Sequence, residues 1–327
     1  MNDSYLILEG GELVDGNGGP PISNAVLVIK GDRIEAVGTS ETIKIPKGAE
    51  IIDTSRKTII PGLIDAHLHL IGIRDLNPRN WIAEPSELKA MRATMDTWKV
   101  IDCGFTTVRD CGNYPNGVLL KKAVAEGSII GPRILSCGVG IYPTHWAHMD
   151  VLRSVPVDWI KERAIFFNGL ADGVEECRKM VREQLREGAD FIKTFDMFTA
   201  EEIKAVVDEA HHAGVKAAVH VAHDLESAKR ALKAQPDTIE HGSCLDDEAI
   251  EMMLKQGTYL IPTLAIDEAW ERRASKKDMD EAMLIRIQSR YKLHREAFEK
   301  AWKAGVKIWD RLRQYKRSLT PDGGKCA

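Results

Sequence analysis

Between residues 59 and 308 the chain alternates short apolar runs with amphipathic stretches, and few folds accommodate that alternation. Strand candidates fall at residues 59–69, 106–109, 133–136, 190–195, 215–220, 238–241, 258–264 and 306–308. Helical candidates lie between them at 86–102, 117–126, 173–187, 200–212, 225–233 and 246–255, with a long one from about 278 to 303. Eight strands, each but the last leading into a helix, give the pattern of a parallel (β/α)8 barrel. A doubly wound open sheet would need a glycine-rich phosphate loop after its first strand, and the sequence carries none there. The expected fold is therefore α/β, a TIM-like barrel over residues 59–310. Residues 1–58 read differently, as apolar runs at 5–8, 25–29 and 34–37 divided by turn segments rich in Gly, Asp and Pro. They are expected to form a small N-terminal β-sandwich module.

In such a barrel the reactive side chains sit at the C-terminal ends of the strands. The first strand ends in His67-Leu68-His69. Residues i and i+2 of a strand share a face, so both imidazoles project together. Two convergent imidazoles can begin a metal site, although the motif alone fits a hydrogen-bonded histidine pair equally well. The fourth strand carries Lys193, the fifth ends in His220 and the sixth in His241. Taken singly, Lys193 also fits a surface lysine that snorkels. His220 competes with His223 in the following loop, and the strand pattern favours His220. His211 and His212 fall in a last helical turn, where imidazolium suits the helix dipole, and are expected to face solvent. His294 is expected at the surface of its helix. Glu240 is expected on the strand face opposite His241, in packing or ion pairing.

A net charge of -4 leaves no electrostatic footprint for nucleic acid or an anionic membrane. No apolar run reaches the ~20 residues of a membrane span. The expected partner is a small-molecule substrate, with no nucleic acid and no membrane, and a homo-oligomer is compatible with the composition. Six cysteines (Cys103, Cys111, Cys137, Cys177, Cys244 and Cys326) form no CxxC pair and fit reduced, mostly buried thiols. The opening Met-Asn-Asp-Ser-Tyr lacks the layout of a signal peptide, so a cytoplasmic location is expected.

Five stretches together resemble the amidohydrolase superfamily, in the branch of imidazolonepropionase-like and Xaa-Pro dipeptidase (prolidase)-like enzymes. They are Pro61-Gly62-Leu63-Ile64-Asp65-Ala66-His67-Leu68-His69, Gly104-Phe105-Thr106-Thr107-Val108-Arg109-Asp110, Gly188-Ala189-Asp190-Phe191-Ile192-Lys193, Ala218-Val219-His220 and Thr238-Ile239-Glu240-His241-Gly242. The resemblance implies two divalent metal ions, zinc being favoured by N/O ligands, with His67 and His69 on one and His220 and His241 on the other. It implies that Lys193 is carboxylated and bridges them. Forming that carbamate needs a neutral amine, which burial beside cations promotes. Two such metals polarise a carbonyl and lower the pKa of water to roughly 7, making hydroxide available to attack an amide. The implied activity is cleavage of a dipeptide or N-acyl amino acid; the alternatives are a cyclic amide, as in imidazolonepropionase, or a metal-binding form that is catalytically impaired. In the loop after the third strand, His148 with Asp150 best matches the family's substrate-contacting stretch, with His145 as alternative, and Trp146 would narrow the pocket.

One segment departs from the resemblance. The family's eighth strand ends in Gly-Thr-Asp, whose aspartate is the general base, whereas here Val306-Lys307-Ile308 continues into Trp309-Asp310-Arg311-Leu312 and a basic tail over 311–327. Reading one base later from Trp309 gives glycine, and the genetic code permits threonine and aspartate next. A truncated or frameshifted C-terminus is therefore expected, with Asp310 as a stand-in base. Coding DNA whose shifted triplets do not continue into Gly-Thr-Asp would sink the frameshift.

Overall fold

A computed structural model of the protein describes residues 4–74, 80, 83–113, 116–145, 155–163, 169–222, 224–274 and 281–308. The chain divides into two compact units, one over Met1–Leu63 and a larger one over Ile64–Asp310.

The first unit contains β1 (Tyr5–Glu9), β2 (Glu12–Leu13), β3 (Ala25–Lys30), β4 (Arg33–Thr39), β5 (Glu50–Asp53) and β6 (Thr58–Ile59). Four of them form a sheet in the order β4-β3-β1-β5, while β2 pairs in parallel with β6. The three apolar runs anticipated here are β1, β3 and β4; β5, parallel to β1, was not anticipated. Alternate residues of β3 serve two small cores, Val26 and Val28 in one, Ala25 and Leu27 in the other. That period of two explains why the strand reads as continuously apolar.

The larger unit runs β7 (Leu63–Leu68), α1 (Ser86–Asp102), β8 (Phe105–Asp110), α2 (Asn116–Ala125), β9 (Arg133–Ser136), β10 (Gly140–Tyr142), α3 (Val157–Arg163), β11 (Gly169–Leu170) and α4 (Gly173–Glu187). It continues with β12 (Phe191–Phe195), α5 (Ala200–His212), β13 (Lys216–Val221), α6 (Leu225–Lys233), β14 (Thr238–His241), α7 (Asp247–Gln256), β15 (Tyr259–Ile261), α8 (Leu264–Ala274) and α9 (Glu281–Ala304). Strands β7-β8-β9 form one sheet, and β11-β10-β12-β13-β14-β15 form a second in which every pairing is parallel. Ile308 adds a parallel bridge to Leu260 beyond β15. The expected α/β class with parallel sheets is thus present. The helix breaks follow local chemistry: Thr199 and Glu202 form a reciprocal capping box at the start of α5, and Gly188 ends α4 at φ +104°.

Strand alternation sorts the side chains of this unit. Ile192, Val219, Ile239 and Leu260 face the helices in a core shared with Val181, Ile203, Leu232 and Met253. Their neighbours Phe191, Lys193, Phe195, Ala218, His220, Thr238 and Glu240 take the other, inner face. Leu68 and Val108 likewise join the helix-side core with Ala93 and Leu120, which sends His67 and Arg109 inward.

The strand expected over 258–264 is shorter than its apolar pattern. It stops at Ile261, because Pro262 lacks an N–H for the ladder, and α8 begins two residues later. Trp146, His148, Asp150, His223, Asp310, Cys326 and the tail lie outside the described residues. Among the described residues no helix is long and apolar enough to cross a membrane.

Candidate metal centre

Four imidazoles meet where β7, β13 and β14 end. The ring centres of His67 and His69 lie 5.2 Å apart, those of His67 and His241 4.8 Å, and those of His220 and His241 4.4 Å. Lys193 is 1% exposed, and its Nζ lies 5.3 Å from the ring of Phe195, which stacks on His220 at 4.7 Å. The fold therefore brings together the five candidate metal ligands, from strands far apart in the chain.

The hydrogen bonds around the rings decide which nitrogens remain for chemistry. His67 Nδ1 lies 2.5 Å from Glu240 Oε2, and His69 Nδ1 lies 3.2 Å from the Gly112 carbonyl. A carboxylate and a carbonyl can only accept, so both Nδ1 atoms donate and each Nε2 keeps its lone pair. Gly112 adopts φ +142°, a conformation an L side chain rarely takes, and so turns its carbonyl toward His69. His241 Nδ1 is engaged by Thr263 Oγ1 at 2.6 Å. Orienting a metal-binding histidine through its other ring nitrogen is how proteins fix such ligands.

Electrostatics point the same way. Burial, aided by the nearby Lys193 charge and opposed by Glu240, holds His67 down at about 4. His69 and His241 are held well below the usual imidazole range by burial, then by His67 and Lys193. Burial also lowers Lys193, against the pull of Glu240. At neutral pH His67, His69 and His241 are thus neutral imidazoles, the form that donates to a metal. This donor chemistry fits divalent cations.

Glu240 is where alternation misleads. It was expected on the face opposite His241, yet the two flank the same ring of His67. The reason is backbone geometry: His241 sits at φ +67°, which breaks the two-residue period at the strand end. Fully buried, Glu240 accepts from Arg109 Nη1 at 2.9 Å and from Thr238 Oγ1 at 2.7 Å as well as from His67. Burial alone would raise its carboxyl; Arg109, Lys193 and His67 overcome that and hold it well below the usual range. The expectation of ion pairing was sound and only the face was wrong. Cys111 is a second addition, since it, His67 and Glu240 offer ligand atoms all within 4.8 Å of one another.

His294 was expected at the surface and is instead buried, 2% exposed. Its Nε2 donates to the His241 carbonyl at 2.8 Å, and its Nδ1 meets the Asp267 carboxylate. The sequence signal was present in principle, because Asp267 is a charge amid the apolar start of α8, but the partner lies on another helix. His211 and His212 are exposed at the end of α5 as expected, with His211 Nε2 2.8 Å from Asp237 Oδ2. His145, the alternative loop histidine, is exposed in a turn.

Comparison with known proteins places these residues in context. Residues 58–309 match the profile described as "Amidohydrolase family". Ochratoxinase of Aspergillus niger is 29% identical over 330 residues, covering 92% of this chain and 67% of that protein. Imidazolonepropionase of Alkaliphilus metalliredigens is 27% identical over 267 residues, 72% of this chain and 61% of that protein. A crystal structure of a prolidase complexed with N-methylphosphonate-L-proline superposes with a TM-score of 0.83 at 29% identity, covering 93% of this chain and 77% of that one. A Xaa-Pro dipeptidase with methionine bound in its active site gives 0.80 at 31%, covering 93% and 78%.

Proposed function

Because the chain belongs to the amidohydrolase family, in the imidazolonepropionase and prolidase-like branch, we propose that it hydrolyses the amide bond of a small carboxylate-bearing substrate with the help of divalent metal. The substrate class is a dipeptide or an N-acyl amino acid. The observation that carries this reading is the convergence of His67, His69, His220 and His241 at the strand ends, with the Nδ1 atoms of His67 and His69 held by Glu240 and the Gly112 carbonyl. In this reading the strands of the larger unit close into a (β/α)8 barrel and the first unit is a partial sandwich. Their boundaries are those expected from the sequence, 1–58, 59–310 and a tail over 311–327.

His67 and His69 would hold one ion, probed best with zinc, His220 and His241 a second, and carboxylated Lys193 would bridge them. When bound, the ions supply a Lewis acid for the amide carbonyl and a water whose pKa falls to roughly 7. The chain's own part is to orient and to exclude water. Glu240 holds the His67 tautomer, Arg109 neutralises Glu240, and the Phe195 ring covers Lys193 and His220. Low local dielectric also keeps the Lys193 amine readier to lose its proton and accept carbon dioxide. Asp310 as proton acceptor and His148 as substrate contact complete the proposal.

The test is metal analysis beside a rate assay on the purified chain, using panels of Xaa-Pro dipeptides and N-acyl amino acids. Two ions per chain, lost in Lys193→Met together with turnover, are expected. A chain that binds no divalent metal would overturn the proposal. The imidazolonepropionase relative keeps a second reading in view, hydrolysis of a cyclic amide, and turnover of imidazolone propionate in preference to either panel would select it. Bound metal with no turnover of any substrate would identify the catalytically impaired form.

A further inference from the structure

Parallel strands of the larger unit begin around a cavity of about 800 Å³. Phe191, Lys216, Thr238 and Tyr259, the first residues of β12, β13, β14 and β15, line it. His220 and His241 lie at the other ends of β13 and β14, so the cavity and the candidate metal centre occupy opposite ends of the same sheet. A space of this size suits a small organic molecule. Leu135, Pro236 and Met252 join the two aromatic rings in an apolar wall. The acids of the wall are already neutralised, Asp190 by Lys121 at 2.6 Å and Asp237 by Lys216 at 2.7 Å. Two cations are not. Lys255 lines the cavity and Lys307 sits with its Nζ 5.3 Å from the Tyr259 ring, and neither forms an ion pair with any described residue.

The inner wall holds Arg109, 7% exposed, with its guanidinium 4.2 Å from the centre of the Phe191 ring. Nη1 donates to the Ala66 carbonyl and to Glu240 Oε1, and Nη2 donates to Thr238 Oγ1 at 3.1 Å. Thr238 Oγ1 itself donates to Glu240 Oε1, so both acceptors share the edge between Nη1 and Nη2. The Nε–H and the second Nη2 hydrogen, on the adjoining edge, have no partner among the described residues. That edge is a two-pronged donor matched to the two oxygens of a carboxylate, and leaving it unmet on a buried guanidinium is costly. We propose that this cavity binds a small organic acid with an aromatic or branched apolar body. Its carboxylate takes the Nε edge of Arg109, and its body lies against Phe191, Met252 and Tyr259. Glu240 already draws on the Arg109 charge, so the second carboxylate relies on Lys255 and Lys307 for the balance.

Photoaffinity labelling of the metal-loaded full chain with 4-benzoylbenzoate tests this, since the excited ketone inserts into nearby C–H bonds and the adduct is mapped by mass spectrometry. Saturable adducts on the peptide carrying Met252 are expected, and the uncharged analogue 4-benzoylbenzyl alcohol should bind at least about tenfold more weakly. Lys255→Glu, at an exposed position, should weaken the acid by roughly three- to tenfold without moving the thermal melt. Arg109→Lys keeps a cation beside Glu240 but has no Nε edge, and should weaken the acid by more than about tenfold while the alcohol binds as before. Absence of saturable labelling, equal binding of acid and alcohol, or a Lys255→Glu chain that binds the acid like the wild type would overturn the proposal. So would adducts confined to Tyr142 or Phe195, which stack toward His220 on the metal side.

Discussion

The candidate centre draws on two short segments that solve the same problem differently. At the end of β7, His67 and His69 reach one space because they are two residues apart, with Leu68 turned into the helix-side core between them. At the end of β14, Glu240 and His241 are adjacent in sequence and still flank a single ring. The first arrangement follows from strand geometry alone. The second needs His241 at φ +67°, held by contacts from outside its strand: Thr263 on its ring and His294 on its carbonyl. A regular segment can be read locally, whereas an irregular one is maintained by the rest of the fold.

Substitutions at four positions would break or sharpen that contrast, and the largest effect is expected at Glu240. Glu240→Ala strands Arg109, 7% exposed, without its carboxylate partner, and should cost about 3–5 kcal/mol in urea unfolding. A loss under about 1 kcal/mol would mean that the pair contributes little to the irregular end. Next, His294→Phe removes the bond to the His241 carbonyl and should weaken zinc binding about 10- to 100-fold by competition with a chelator. Equal affinities would remove His294 as a positioning residue for His241.

A smaller effect is expected from His69→Gln on the regular side. Burial depresses the His69 pKa, so the unfolded chain takes up its proton first as pH falls below about 6.5. Metal-free stability should therefore fall with pH from that point toward the folded value. Removing one such group should flatten the slope by up to about 1.4 kcal/mol per pH unit. Unchanged slopes in parallel thermal melts would show that His69 is not buried neutral. The smallest effect compares His241→Gly with His241→Ala in metal-free protein. Glycine accepts positive φ, so it should be the more stable variant by about 1 kcal/mol. Alanine equal to glycine would mean that the backbone there relaxes to an ordinary conformation.

Much of the centre was legible in advance. The strands bearing Lys193, His220 and His241 were recognisable from apolar runs, and polar residues at their ends stood out because burial normally excludes them. Less legible were the supporting groups. His294 occupies an unremarkable helical position, and its burial comes from the packing of α9 against α8 and the end of β14. Helix α1 runs against the usual pattern, in which an apolar stripe at helical spacing faces the core. In the folded chain that stripe faces outward and the face with Lys89 and Thr97 is covered.

What the sequence determined by itself is local and periodic. Period-two alternation sends His67 and His69 to one face and separates helix-side Val219 from inner His220, whatever lies elsewhere in the chain. What only the tertiary structure decided is the company these residues keep. Glu240 joins His67, Arg109 reaches Glu240, and His294 grips His241 because segments up to 173 residues apart are packed side by side. Backbone sterics act between neighbours and leave their mark in the sequence. A buried charge or a positive φ is tolerated only where distant groups compensate it, and no local pattern records who those groups are.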